Sequence, residues 1–589
     1  METQKINIIF TTDIHGNYFP YDFRHDHWGK GSLQRVHGYV AQQVRRLPGA
    51  TILIDGGDML QGEPTSYYFN YVGRKKPEDF PMKISFPPAD MMARHKVADM
   101  CNFIGYDVGV IGNHDIETGH EVYDQFVRDC NFPILGANAI NTETGEPYFT
   151  PYTMLYRGKV SIAVIGFITP AIPHWIPKRV WSGIRFEDIK ESAKKWVEYV
   201  KEEEHPDFII GLFHSGMDEG IVTPEYHENA TRETVSSVDG FDLVLYGHDH
   251  SSHIEEIESP SGKSAICVNP GSYAYSVADI RIKFSLNEAG QVVKHDIGCQ
   301  ICYIGTLHNS HAAEFKRHFR NEFGLVKRFV RRKIGTFVNG VDITNAYFGS
   351  SAYIDLIQQL QLKVSKADIS FCAPLFFNAS INAGDVYIGD LFNLYRFEDR
   401  LYTIRLTGQE IKDYLEMSYA NWTNQMHSAD DNFLLLSPMK SNPDRMGFTN
   451  FIFNFDSAAG ICYEVDVRKP QGEKITITSM ADGSPFLFNH VYTVAMTAYR
   501  VNGGGELLTK GAGLSKEEIE QRIISFTQHD VRHYMMDYIY QEHTLAPKAL
   551  NHWRFVPEEW VRQAEERERK LLFGNKPETT IATIEEERT

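Results

Sequence analysis

The chain has 589 residues, 42% hydrophobic and 23% charged, a globular composition that excludes a disordered or fibrous protein. Fifty-nine Lys and Arg against 77 Asp and Glu give a formal net charge of −18, so the average surface repels nucleic-acid polymers and anionic lipid. A small anion would need a local positive charge, which metal ions supply.

No stretch reaches the roughly 18–20 apolar residues of a membrane span. The longest, Val160 to Ile172, reads as a buried strand with its exit. The N-terminus, Met1-Glu2-Thr3-Gln4-Lys5, enters a strand without the basic and apolar regions of a secretory leader. A cytoplasmic location is expected, or a periplasmic one if a leader has been removed. Seven cysteines fit a reducing compartment and argue against a disulfide framework.

Residues 1–305 alternate between β-branched runs and helical patterns. Ile6–Phe10, Thr51–Ile54, Val108–Ile111, Val160–Gly166, Phe208–Phe213 and Leu243–Tyr246 predict strands, and Asp188 to Glu203 predicts a helix. This alternation predicts an α/β sandwich. Cys299 and Cys302 form a lone CxxC with strand-like flanks and no second pair, so a zinc or redox role is not assigned. Over 306–335 the chain turns basic, with Phe315, Phe319, Phe323, Val326 and Phe329 at three- and four-residue steps, which predicts a connecting helix. A second unit over 336–560 is richer in aromatics, with strand-like segments near 401–406, 461–467 and 491–497. Residues 561–589 are highly charged and are expected to be a helix fraying into a disordered tail.

Five segments share one design: an apolar run ends and metal-ligand residues follow at once. They are INIIFTTDIHGN, TILIDGGD, VGVIGNHD, IIGLFHSG and LVLYGHDH. Open α/β sheets place ligands at strand ends. Asp13 and His15 are two apart, as are His248 and His250; in extended chain such pairs project to one side and can share a cation. Asp58 follows Gly56-Gly57, which permits a tight turn and lifts its carboxylate off the strand, where it can bridge two cations. Asn113 offers a neutral oxygen and His214 an imidazole. Mixed nitrogen and oxygen ligation without thiolate suits manganese, zinc, iron or cobalt rather than calcium. Two such ions about 4 Å apart clamp a phosphate and acidify a bridging water.

On these motifs, residues 6–275 resemble the calcineurin-like metallophosphoesterases. The likeness continues through nearly the whole chain to the 5′-nucleotidases and the 2′,3′-cyclic-nucleotide 2′-phosphodiesterase/3′-nucleotidases. The resemblance implies an N-terminal α/β/β/α catalytic sandwich over 1–305, a connecting helix or hinge over 306–335 about which the domains close, and a C-terminal α+β substrate domain over 336–560. It implies one metal held by Asp13, His15, Asp58 and His250, and a second held by Asp58, Asn113, His214 and His248. His114 matches the family's catalytic histidine, which would protonate the leaving oxygen after metal-bridging hydroxide attacks phosphorus. Its acidic partner would be Glu117, where 5′-nucleotidases carry Asp. Asp115 is expected to cap the following helix.

Three further stretches resemble the family's C-terminal domain: GDLFNLYRFEDRLYTIRLTGQEIKDYLE, FNFDSAAGICYEVDV and YTVAMTAYRVNGGGE. By the same resemblance Phe397 and Tyr499 sandwich the nucleobase, with Asn502, Gly503 and Gly504 beside them. Two departures lean away from 5′-nucleotidases. Cys372-Ala373-Pro374-Leu375 replaces a stretch carrying a substrate-holding Arg, and Gly505 replaces an Asp that binds ribose hydroxyls. His25 and His27, just after the first motif, are read as a solvated loop, with a substrate-facing role as the alternative. The expectation is a dinuclear-metal phosphohydrolase of nucleotides, closest to the cyclic-phosphodiesterase/3′-nucleotidase branch. A 5′-nucleotidase or UDP-sugar hydrolase is the alternative enzyme, and a nucleotide-binding protein with a degenerate metal site the alternative of another class.

Overall fold

The computed structural model describes residues 2–73, 93–395, 397–439 and 442–574. The described chain divides into two compact units, one running up to Phe329 and the other from Val330. The tail expected after the last helix lies outside the described residues. Among the described residues, no helix is long and apolar enough to cross a membrane.

Twelve strands of the first unit build two six-stranded sheets. They are β1 (Glu2–Thr11), β2 (Thr51–Asp55), β3 (Val108–Val110), β4 (Ile134–Leu135), β5 (Tyr152–Arg157), β6 (Val160–Ile168), β7 (Phe208–His214), β8 (Leu243–Tyr246), β9 (Ser252–Glu258), β10 (Ser264–Pro270), β11 (Ser276–Leu286) and β12 (Val292–Tyr303). One sheet has the order β12-β11-β1-β2-β3-β4 and the other β9-β10-β8-β7-β6-β5. The strands that carry the metal motifs, β1, β2 and β3 in one sheet and β7 and β8 in the other, run parallel to their neighbours among these five. Their C-terminal ends therefore lie on one edge of each sheet.

Side-chain alternation explains the layering. Along β6, Ile162 and Val164 join Ile8, Ile54, Ile210 and Leu245 in a core shared by both sheets. Ala163, Ile165 and Phe167 face the other way, onto Trp196, Val197 and Val200. Those three belong to one of the unit's longer helices. In chain order these are α1 (Leu33–Arg46), α2 (Lys96–Ile104), α3 (Asn113–Glu117), α4 (His120–Asp129), α5 (Ile189–Glu203), α6 (Thr231–Ser237), α7 (Ser310–His318) and α8 (Arg320–Val330). Asp188 starts α5 by accepting the Glu191 amide at 3.0 Å. The α/β architecture follows from the strand–helix alternation of the sequence, with mixed sheets and helices on their outer faces. The basic segment expected as one connecting helix is two, α7 and α8, and up to Phe329 it belongs to the first unit. Phe319 sits at the break between them and packs on Phe315 at 4.7 Å between ring centroids. Cys299 and Cys302 both lie on β12, three residues apart, so the strand's period of two points them to opposite faces and they form no chelate.

The second unit centres on a five-stranded sheet of β13 (Ile369–Cys372), β14 (Arg400–Thr407), β15 (Ser457–Ala459), β16 (Val491–Thr497) and β17 (Ile523–Asp530), in the order β15-β13-β16-β14-β17. Helix α9 (Gly408–Trp422) starts in a capping box: Thr407 Oγ1 accepts the Glu410 amide at 3.2 Å and Glu410 accepts the Thr407 amide at 2.7 Å. The aromatic excess is spent in this core, where Phe371 stacks on Tyr414 at 4.2 Å and Tyr419 on Trp422 at 5.0 Å. Helix α10 (Glu558–Phe573) closes the core with Val561, Ala564 and Leu572.

Glu568 on α10 is fully buried and accepts the backbone amides of Phe433 and Leu434. Burial outweighs those hydrogen bonds and raises its pKa from 4.5 to about 7. The folded state thus holds this proton more tightly than the unfolded state, so the associated stability is complete below the ordinary value and is lost as pH rises toward about 7. Glu568→Gln cannot ionise and should flatten that decline. Urea denaturation at about pH 5 and about pH 7.5 reads it; an equal loss in wild type and variant would contradict the assignment.

Candidate metal centre

Each motif residue sits at or just past a strand end, His214 being the last residue of β7. β1 stops at Thr11 and β8 at Tyr246, so neither Asp13 and His15 nor His248 and His250 lie in extended chain. Their φ angles are 52°, 49°, 78° and 57°, and that of Asp58 is 55°. The extended-strand reason for the two-residue spacing is therefore corrected: these residues share a side because tight left-handed loops turn them there. Five of the fourteen non-glycine residues with left-handed φ among the described residues are candidate ligands. Each such conformation costs on the order of 1–3 kcal/mol and persists only where surrounding contacts enforce it. Gly57 (φ 90°) shows why its position carries no side chain, since a Cβ there would stand 2.8 Å from His214 Nδ1.

The loops bring together two groups, Asp13 with His15 and His250, and Asp58 with His214 and His248. All six side chains are buried, and within each group the ligand atoms lie within 4.8 Å of one another. His15 Nε2 is 2.9 Å from His250 Nε2, and His250 Nε2 is 3.2 Å from Asp13 Oδ1. His214 Nε2 lies 3.1 Å from Asp58 Oδ2 and 3.0 Å from Asn113 Oδ1. His15 Nε2 is 3.8 Å from Asp58 Oδ2, which joins the two groups. The far ring nitrogens are already committed. His214 Nδ1 donates to the Gly56 carbonyl at 2.7 Å and His15 Nδ1 to the Gln61 carbonyl at 3.0 Å, so both present Nε2 inward.

The carboxylates test whether the site fits cations. Asp13 Oδ2 accepts the Thr12 hydroxyl at 2.6 Å and the His248 amide at 3.0 Å, while Asp58 Oδ1 accepts the His114 amide at 2.8 Å. Asp13 Oδ1 and Asp58 Oδ2 are buried, and no well-aligned hydrogen bond reaches either among the described residues. Such oxygens demand positive charge. Burial would raise the Asp13 carboxyl, but His250, then His15, hold it well below the usual range. Burial would likewise lower His214, but the Asp58 carboxylate pushes it up to about 10. The donor set of carboxylate, imidazole and amide oxygens fits divalent transition metals.

His114 lies on α3 with its ring centroid 5.4 Å from that of His15. Its Nδ1 is 2.8 Å from Glu117 Oε2, so the longer Glu arm reaches the imidazole from one helical turn away. Asp115 does more than cap. It accepts the amides of Asp58, Met59, Leu60 and Gly112 at 2.8–3.0 Å, which locks the Asp58 loop to the start of α3. Sequence reasoning missed Glu228, whose Oε1 is 3.0 Å from His248 Nε2, and Tyr273, whose ring lies 5.6 Å from His15 and whose amide donates to the Asp13 carbonyl. It also missed Trp175, 5.8 Å from His248 between ring centroids. His25 is exposed and pairs with Asp22 at 2.8 Å, and His27 is exposed.

In the second unit, Tyr499 is half-buried on the short helix Ala498–Val501, edge-on to Phe453 at 5.9 Å. Phe397 is half-buried in the loop before β14. Asn502 Nδ2 donates to the Ala498 carbonyl at 2.8 Å and so secures the turn, and Gly503 has φ 97°. A Cβ on Gly504 would strike the Tyr499 ring. Arg500, buried and unforeseen, forms a two-pronged pair with Asp456 at 2.8 and 2.9 Å and donates to Asn454 Oδ1 and the Gly504 carbonyl, both at 2.9 Å.

Family models match a stretch of each unit. Residues 6–252 match the calcineurin-like phosphoesterase model and residues 333–510 the 5′-nucleotidase C-terminal domain model. The chain is 25% identical, over 94% of its length, to the trifunctional nucleotide phosphoesterase protein YfkN of Bacillus subtilis, of which it spans 39%. It is also 25% identical to the 2′,3′-cyclic-nucleotide 2′-phosphodiesterase/3′-nucleotidase of Salmonella typhimurium, over 94% of this chain and 89% of that protein. Its fold is like that of a 5′-nucleotidase candidate from Staphylococcus aureus, with a TM-score of 0.71 at 19% identity over 94% of this chain and all of the other. The chain thus carries a calcineurin-like phosphoesterase domain followed by a 5′-nucleotidase C-terminal domain.

Proposed function

We propose that this chain is a dinuclear-metal phosphohydrolase of nucleotides, acting as a 2′,3′-cyclic-nucleotide 2′-phosphodiesterase/3′-nucleotidase. The observation that carries the reading is the pair of buried Asp-His-His groups joined at Asp58, each with one carboxylate oxygen left to a cation. Asp13, His15, Asp58 and His250 hold one metal and Asp58, Asn113, His214 and His248 the other; manganese, zinc, iron and cobalt all suit these donors. When bound, two such cations neutralise phosphate charge and acidify the attacking water. His114, with Nδ1 held by Glu117, directs Nε2 outward to protonate the leaving sugar oxygen. Phe397 and Tyr499 contact the base, and the turn at Asn502, Gly503 and Gly504 holds Tyr499 in place. Stacking of this kind tolerates several bases.

The phosphate position rests on Gly505. A side chain there would collide with Asn454 and stand 2.6 Å from Arg500 Nη1, so the ribose-binding Asp of 5′-nucleotidases has no room. The name of the Salmonella relative supports the same branch. The competing 5′-nucleotidase or UDP-sugar hydrolase reading predicts the opposite ranking on a manganese-supplemented panel. There we expect 2′,3′-cyclic AMP and 3′-AMP to be turned over with higher kcat/KM than 5′-AMP or UDP-glucose. Nucleotide binding without turnover of any of them would instead favour a binding protein with a degenerate centre.

Two variants test the residue roles. Asp58→Asn should lose bound metal, read by elemental analysis, together with nearly all turnover. His114→Ala should keep its metal but lose about 10²–10⁴-fold in kcat on nucleotides, and much less on p-nitrophenyl esters, whose leaving group needs no proton. Full activity of His114→Ala on nucleotides would remove the proton-donor role.

A further inference from the structure

A second group of metal-ligand side chains lies in the first unit and shares no residue with the centre above. His37 on α1, and His311 and Glu314 on α7, each place one donor atom within 4.8 Å of the others. His311 and Glu314 are one helical turn apart and face the same way, with His311 Nδ1 3.4 Å from Glu314 Oε2. The two helices are fixed against each other beside this group. Asn309 Nδ2 donates to the Gly38 carbonyl at 2.9 Å, and a Cβ on Gly38 would stand 3.2 Å from the Ala312 methyl. The imidazoles also lean on aromatic rings, with His37 5.1 Å from Phe103 and 6.2 Å from Phe315.

Hydrogen bonding leaves three of the four ring nitrogens of these histidines unaccounted for. Nδ1 and Nε2 of His37 and Nε2 of His311 are buried, and none has a hydrogen-bond partner among the described residues. Buried imidazole nitrogens ordinarily find a partner. Burial against the rings also lowers the His37 pKa, which keeps it neutral and its lone pair available.

We propose that His37, His311 and Glu314 form a third cation site, for a single zinc ion, which pins α7 onto α1. Two imidazoles and one carboxylate, with a fourth position open to water, are a known zinc donor set. Tetrahedral zinc places donor atoms about 3.4 Å apart, so a group whose donors lie within 4.8 Å of one another needs a movement of at most about 1.4 Å. The half-exposed Glu314 side chain has the freedom to supply that movement.

Chelator-stripped full-length protein titrated with zinc alone tests the site. Wild type should take up one more equivalent than His311→Ala, read by elemental analysis after gel filtration. Zinc should also raise the wild-type melting temperature by roughly 5 °C more than that of the variant. In an Asp58→Asn background, the zinc that remains should disappear with His311→Ala, which separates this site from the dinuclear centre. Should His311→Ala fail to fold, Glu314→Gln, a change at a half-exposed position, must show the same loss. Equal zinc uptake by wild type and the folded variants would overturn the proposal.

Discussion

The first unit is organised around two buried carboxylates, Asp13 and Asp58, that need positive charge beside them. Asp13 and Asp58 each commit one oxygen to neighbouring loops, through the His248 amide and the His114 amide respectively. Their remaining oxygens face imidazoles at 3.1–3.8 Å. Burying an isolated carboxylate is far more costly than a single loop's conformational strain, so the arrangement is stable only with compensating positive charge. The left-handed backbone at Asp13, His15, Asp58, His248 and His250 follows from that demand, because the loops must turn sharply off the strand ends to bring five side chains to one place.

Much of this was written in residue type and position. β-branched runs marked the strands, because a strand buried on both faces must be apolar throughout, and ligand types immediately after them marked the site edge. The local geometry was not legible. A two-residue spacing suggests extended chain, yet the backbone at Asp13 and His15 is left-handed, a choice imposed by packing against Gly57 and Tyr273. Glu228 and Trp175 were invisible for a related reason: they approach His248 through tertiary contacts, and no short-range pattern encodes a partner 20 or 73 residues away.

The second unit shows the same boundary. Strand positions near 401–406, 461–467 and 491–497 were readable from local chemistry. The aromatic surplus was not divisible by sequence into enclosed and open rings, because Tyr414, Tyr419 and Trp422 are as aromatic as the half-buried Tyr499 and differ only in being enclosed. What distinguishes the turn at residues 498–505 is the Arg500–Asp456 pair, which ties it to the loop carrying Phe453 and Asn454 and leaves Gly505 no space for a side chain. A fold shared by enzymes of different substrates acquires its specificity through such local fittings.

Backbone donors, counted against each buried acid, separate candidate ligands from structural carboxylates. Asp115 stands beside Asp58 and is equally buried, yet both its oxygens accept two amides each, so it has no lone pair to offer a cation and serves to hold loops together. Glu568 gives each oxygen one amide and plays the same part for α10. Asp13 and Asp58 stop halfway, with one oxygen engaged and one withheld. In a sequence all four are simply acids near apolar runs. Their roles diverge because the number of N–H groups that the surrounding turns point at each carboxylate is fixed by backbone conformation.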